Sequence, residues 1–334
     1  VTRAALLSAP QCRGAIRTLL LVLVALACPA RAEWLQAEQA IMGTRCVVEL
    51  WSEDRARGQA AIDAVFTEFQ RIDALMSTYK PESELSRVNA NAAAGPVPVS
   101  RELYDLLATS IEYSKLTGGA FDVTYASVGY LYDYRAHRHP DAEAIASALP
   151  GIDYRHIELD PGRLTVRFRR PGVRVDLGGI AKGHAVDQGI AVLQRLGIDR
   201  AMVNAGGDTR IIGDRLGRPW IVGIRHPDDA NKVVLRIPLT DTAMSTSGDY
   251  ERFFEEDGVR YHHILDPKTG RSASKLRSVT IIAPTATRTD ALTKSVFVMG
   301  AEEGIRFIDT LGDVDAIAVT PEGKVLYSKG LSPP

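Results

Sequence analysis

From residue 56 to 76 apolar side chains recur at helical spacing, with Ile62, Val65, Phe66, Phe69, Ile72 and Leu75 on one stripe. The period returns after Ser100, a good capping residue. There Leu103, Leu106, Leu107, Ile111 and Tyr113 form the stripe until Gly118-Gly119 stops it. Residues 141–149, 184–196, 290–299 and 302–311 read as further helices. Runs at 41–51, 157–159, 164–168, 173–176, 201–203, 211–212, 220–224, 233–237 and 279–283 read as strands, separated by Gly-Asp and Pro-Asp-Asp turn signals. Pro81 ends a short piece, 89–96 reads as loop, and 316–319 with 324–327 reads as a hairpin around Pro321-Glu322-Gly323. Helices and strands intermix, without an internal repeat or low-complexity linker. The pattern predicts an α+β protein of mixed, largely antiparallel sheets with helices, its two lobes sharing one cleft.

The first 32 residues stand apart. They carry Arg3, Arg13, Arg17 and Arg31, no acidic residue, and an apolar run over 19–27 ahead of Ala30-Arg31-Ala32. Nine apolar residues are too few to span a bilayer, and the pattern is that of a secretory signal peptide. Cleavage after Ala32 is one reading. Lipidation at Cys28, in a degenerate lipoprotein box, is the other, and it would add a lipid anchor. Both place residues 33–334, read as one domain, in the periplasm. Without residues 1–32 the 40 basic side chains fall to 36 against 41 acidic, a formal net charge of −5, which gives no footprint for nucleic acid. Of Cys12, Cys28 and Cys46 only the last then remains, so no internal disulfide forms. In the strand-like CVVEL it reads as a buried, inert thiol.

Residues 173–189, VRVDLGGIAKGHAVDQG, carry the strongest chemical signal. A strand-like run leaves through Gly178-Gly179 into a helix, so bare backbone N–H groups and the helix dipole converge on a ligand. Asp176 and Lys182 add one charge of each sign, and phosphate is the natural anion. Taken alone, the motif equally suits a glycine-rich βα turn with a solvated lysine. Asn204-Ala205-Gly206-Gly207-Asp208 can be a tight turn, and Asp290 can be a helix N-cap. His262-His263 could suggest zinc, but no third ligand stands at a familiar spacing, and neighbours on an extended segment face opposite ways. His137 and His139 read as surface loop residues.

Eight segments in order over roughly 40–300 carry a resemblance. They are Met42-Gly43-Thr44; residues 76–79 with 81–86; Gly118-Gly119-Ala120-Phe121-Asp122; residues 175–187; Asn204 to Asp208; residues 245–250; residues 263–270; and residues 290–300. Together they resemble the ApbE-type FAD:protein FMN transferases. Such enzymes cleave the FAD pyrophosphate, attach FMN by a phosphoester to a Thr or Ser hydroxyl of a target protein, and release AMP with help from a divalent metal, usually Mg²⁺. The resemblance implies FAD contacts at Met42, Tyr79, Ala120, Phe121, Asp122, Asp176, Lys182 and Ile264, with Asn204 and Asp208 supporting the cleft. It makes His263 the base and assigns the metal to the Gly179 carbonyl, Asp290 and the hydroxyl-bearing turn after it.

That chemistry suits these side chains. A threonine hydroxyl barely ionises at neutral pH, and a histidine can take its proton. Hard-oxygen-bound Mg²⁺, Lys182 and backbone N–H groups can neutralise charge on the pyrophosphate. One departure stands out. Where the family often has threonine, four residues after the metal-binding aspartate, this chain has Lys294 between Thr293 and Ser295. Either Thr293 supplies the hydroxyl, or Lys294 points away, or the metal site is altered. By the same resemblance the targets are membrane-associated redox proteins: NADH:quinone reductase, Rnf-type or nitrous-oxide reductase flavoprotein subunits. The chain has no clear copy of the target motif. The alternatives are a periplasmic FAD carrier without transferase activity and a Mg-dependent FAD pyrophosphatase.

Overall fold

The computed structural model describes residues 32–225 and 232–331. The expected signal segment, Cys12 and Cys28 included, and the Pro227-Asp228-Asp229 turn lie outside the described residues. The chain opens with strands β1 (Glu33–Ile41) and β2 (Thr44–Ser52), then helices α1 (Arg55–Met76) and α2 (Glu84–Asn91). Strand β3 (Val97–Pro98), helices α3 (Arg101–Leu116), α4 (Ala126–Gly129) and α5 (Ala142–Ala148), and strands β4 (Ile157–Asp160) and β5 (Thr165–Phe168) follow. Next come α6 (Ala181–Arg195), β6 (Ala201–Ala205), β7 (Asp208–Ile212), β8 (Trp220–Arg225), β9 (Val233–Leu239) and β10 (Ala243–Gly248). Short hairpins β11 (Phe253–Glu256)/β12 (Val259–His262) and β13 (Leu265–Asp266)/β14 (Arg271–Ser272) precede β15 (Ser278–Ala283), α7 (Ala286–Met299), α8 (Ala301–Ile308), β16 (Asp315–Val319) and β17 (Val325–Tyr327).

An eight-stranded sheet runs in the order β1-β2-β6-β7-β10-β15-β16-β17, and its pairings are antiparallel. Strand alternation divides the side chains. On β15 and β16, Val279, Ile281, Ala316 and Ala318 meet α7 and α8. Ile282 and Ile317 point the other way, toward the β8–β9 hairpin and Trp220. Helices α1, α6, α7 and α8 therefore lie side by side across one face. Asp54 and Ser100 cap α1 and α3 as their positions suggest. Phe66, Phe69 and Ile72 of the predicted α1 stripe are fully buried, each contributing roughly 1.5–3 kcal/mol. Cys46 is buried and inert as expected: its thiol contacts the Ile41 carbonyl, and burial pushes its pKa up to about 11.

Several expectations need correction. The run at 41–51 is two strands, joined by a turn in which Met42 and Gly43 both take left-handed backbone (φ 56° and 69°). This is the conformation of a tight hairpin turn and favours glycine at its second position. Residues 84–91 are helix, because Ser83 caps it through the Ser86 N–H. Strand β10 escaped notice because its residues are small and polar; Ser245 and Ser247 face α7 and bond to Thr289 and Thr293. The run at 173–176 pairs with no strand. Instead the Asn89 amide both accepts from the Val175 N–H and donates to its carbonyl, each at 2.8 Å. Ser127 and the Val123 carbonyl take the Arg174 and Asp176 N–H groups.

Candidate active site

Helices α6 and α7 start earlier than the periodicity predicts, and this decides where the charged residues fall. Lys182 lies in the first turn of α6, and Asp290 is inside α7 rather than its N-cap. Glycine at 183 lets the helices touch: a Cβ there would fall on the Ala286 carbonyl and 2.8 Å from the Asp290 Cβ. Each helix then caps the other. Asp290 Oδ2 accepts the Gly183 N–H at 3.0 Å. Asp187, on α6, accepts the Ala286 and Thr287 N–H groups at 2.9 Å each. One N–H of the first turn of α6 and two of the first turn of α7 are satisfied by the neighbour's carboxylate.

Two lysines and two aspartates meet at this junction. Lys182 Nζ lies 2.9 Å from the Gly178 carbonyl, 3.2 Å from Asp208 Oδ2 and 3.5 Å from Asp290 Oδ2. Lys294 Nζ binds Asp290 Oδ1. Burial alone would lower the Lys182 pKa, but Asp208 and Asp290 hold it above the ordinary ammonium value. Burial pushes Asp290 up, and the two lysines with the Gly183 N–H outweigh it, so its carboxyl is held below the usual range. Asp208 moves the other way, raised by burial and by Asp290 against the pull of Lys182. Asn204 shapes the approach to Asp208, donating to Gly206 O, Asp208 O and Thr209 Oγ1 within the turn.

The expected metal donors are taken up by partners within the chain. Both Asp290 oxygens face ammonium groups, and one also takes a backbone N–H. The Thr293 hydroxyl is buried, donating to the Asp290 carbonyl at 2.7 Å and accepting from Ser247 at 3.0 Å. The Lys294 stem packs over Gly179, where a Cβ would lie 3.5 Å from Lys294 Cγ. A divalent cation needs hard oxygen ligands, and a protonated lysine offers none.

The adjacent histidines separate cleanly. His262 is buried against Phe297, donates Nε2–H to the Ala273 carbonyl at 2.7 Å and accepts the Ile264 N–H at Nδ1. Both its ring nitrogens are occupied. His263 keeps Nδ1 buried without a hydrogen-bond partner. Burial, His262 and the charges of Arg252, Lys294 and Lys182 push its pKa down to about 3. It is a neutral imidazole whose buried Nδ1 has no partner, in the field of three cations. Arg252 had no sequence signal of its own. Its carbonyl accepts the His263 N–H at 3.2 Å and its guanidinium reaches the Gly43 carbonyl at 3.4 Å, tying the Met42-Gly43 turn to the histidine.

The remaining expected contacts differ in freedom. Tyr79 is 86% exposed beside Thr78, whose hydroxyl binds Asp176 Oδ2 at 3.0 Å. Asp176 Oδ1 accepts from the Tyr125 hydroxyl at 3.1 Å and the Gly178 N–H at 2.6 Å. Its carboxylate therefore organises the glycine turn, and the Gly178 N–H is not offered to a ligand. Asp122 likewise is spent internally on Thr124 and the Tyr154 N–H. Phe121 lies against Gly179, where a Cβ would sit 3.4 Å from its ring. Ala120 and Ile264 share one buried cluster. Met42, partly buried, packs at the edge of the main core.

Residues 42–318 match the ApbE family. The FAD:protein FMN transferase of Treponema pallidum is 35% identical over 321 residues, 90% of this chain and 89% of that protein. The one from Haemophilus influenzae is 37% identical over 245 residues, covering 70% and 71%. Among solved structures, the ApbE protein of Thermotoga maritima superposes with a TM-score of 0.83 at 34% identity, covering 89% of this chain and 98% of that one. The flavin transferase ApbE of Vibrio cholerae gives 0.81 at 30% identity, with the same coverage.

Proposed function

The chain belongs to the ApbE family, and from that premise we propose that it is an FAD:protein FMN transferase. A Thr or Ser hydroxyl of a target protein attacks the FMN phosphorus, the P–O bond to the AMP phosphate breaks, and AMP leaves. His263 takes the hydroxyl proton. The observation that carries this reading is its unpartnered Nδ1 within the field of Arg252, Lys294 and Lys182. Burial and those cations hold the free imidazole neutral and weakly basic. A pyrophosphate bound on the cations would offset their charge and raise the imidazole pKa so that it can accept the proton, while they stabilise the charge that builds on the pyrophosphate oxygens. Tyr79, Met42, Ala120, Phe121 and Ile264 would bound the flavin side of the cleft. Asp122, Asp176, Asn204 and Asp208 would shape it through the backbone and through Lys182.

We further propose that residues 1–32 direct export to the periplasm, with or without a lipid anchor at Cys28. The targets would be membrane-associated redox proteins of the NADH:quinone reductase, Rnf or nitrous-oxide reductase flavoprotein kinds. No helix among the described residues is long and apolar enough to cross a membrane. The test incubates residues 33–334 with FAD and a protein bearing the target motif, with and without Mg²⁺. Flavin fluorescence on the target band after denaturing electrophoresis is the expected result. Free FMN and AMP alone would indicate a pyrophosphatase, and unchanged bound FAD a carrier. His263→Ala should keep FAD binding and lose transfer.

A further inference from the structure

We propose that Lys294 replaces the divalent cation in this chain, its ammonium on Asp290 supplying the positive charge for the pyrophosphate so that transfer runs without metal. The proposal rests on the transferase reading above and concerns the same site. Asp290 and Lys294 stand one helical turn apart on one face of α7, the spacing at which an acidic and a basic side chain meet. The carboxylate is fully buried, so it needs a partner, and two ammonium groups already serve it. The hydroxyl that could ligate a metal, Thr293, is turned inward onto Ser247 and its own helix. The Lys294 stem lies against the Gly179 backbone, 3.5 Å from where a Cβ would stand.

Electrostatics point the same way. A divalent ion at this junction would have to displace Lys182 and Lys294 from Asp290, the carboxylate it needs, and would feel the charge of Arg252 as well. Like charges in a low-dielectric pocket repel strongly. A doubly negative pyrophosphate meets the opposite field and is drawn to it. An ammonium carries less charge than Mg²⁺, and Asp208 and Asp290 offset part of it, but Lys182, Lys294 and Arg252 are held by the fold and need no ligand shell assembled around them.

The first arm needs no turnover. Residues 33–334 are titrated with Mn²⁺, with and without FAD, and the free ion is followed by its electron paramagnetic resonance signal. The wild type should leave the signal undiminished up to about 1 mM protein and ion. Lys294→Thr should bind one Mn²⁺ at least about tenfold more tightly, and Asp290→Asn added to it should abolish that binding. In the second arm, wild-type transfer should persist with a chelator present, whereas Lys294→Thr should lose about tenfold or more and recover with Mg²⁺. Lys294→Met, which removes the charge without adding a ligand, serves if the threonine variant does not fold. Stoichiometric Mn²⁺ binding by the wild type, or loss of its transfer on chelation, would overturn the proposal. Absence of transfer under every condition would instead sink the transferase reading, and the Mn²⁺ titration would still judge the lysine.

Discussion

Asp187 and Asp290 cap each other's helices, each carboxylate closing the first turn of the helix that carries the other. The exchange sets the axial register of α6 against α7, and with it the position of Lys182 relative to Lys294. Asp187 holds three donors from Ala286 and Thr287 and an ion pair to Arg210 at 2.7 Å. Asp187→Ala should therefore destabilise residues 33–334 by about 2–3 kcal/mol in urea unfolding, more than an ordinary cap. Asp187→Asn, which keeps a capping oxygen, should lose less than half of that. Equal losses would mean that one capping oxygen is not enough and that both carboxylate oxygens are required.

Asn89 does a strand's work for Val175. Among the described residues its amide is the partner of both backbone groups there, and the next residue is Asp176. Asn89→Ala leaves a part-buried donor and acceptor unpaired, at about 1–3 kcal/mol each before water reaches them. Stability should fall by about 2 kcal/mol or more, and the Val175 amide should lose its hydrogen-exchange protection. Retained protection would show that another group satisfies it.

These two relationships explain what was and was not legible in the sequence. The α1 and α3 stripes, the Ser100 cap and the antiparallel pairs at the C-terminal end follow from local period and local chemistry. Helix starts at Ala181 and Ala286 do not, since their caps come from residues about a hundred positions away. Strand β10 was hidden because its burial is polar, against α7 hydroxyls. The motifs gather Lys182, Asp208 and Asp290, which the fold brings to one junction, yet two of their carboxylates, Asp122 and Asp176, prove to be bound to their own turns. Sequence order cannot reveal which oxygens are already taken.

His262 and His263 make stability depend on acid. Burial lowers both pKa values, His263 to about 3. Between the ordinary histidine value near 6.5 and about 3 the unfolded chain binds a proton that the folded His263 refuses. Stability is thus complete above pH 6.5 and declines as pH falls through that window, with His262 acting in the same direction. The urea midpoint should drop from pH 7 to pH 5, and His263→Gln should flatten part of the drop. An unchanged slope in that variant would mean His263 is protonated in the fold at pH 5.

Tyr79 offers the cleanest separation of binding from folding. At 86% exposure its ring buries little surface, and its backbone N–H is held by Ser77 Oγ at 3.3 Å whatever the side chain. Thr78 independently fixes the turn to Asp176. Removing the ring should leave unfolding within about 0.5 kcal/mol of the wild type, as for most exposed positions. A ring stacked on flavin or adenine contributes about 0.5–1.5 kcal/mol beyond its buried area, so Tyr79→Ala should weaken FAD binding by about tenfold. Tyr79→Phe should restore the affinity, because stacking needs the ring and not the hydroxyl. Isothermal titration of the three proteins with FAD decides it. Wild-type affinity in the alanine variant would remove Tyr79 from the flavin side of the cleft.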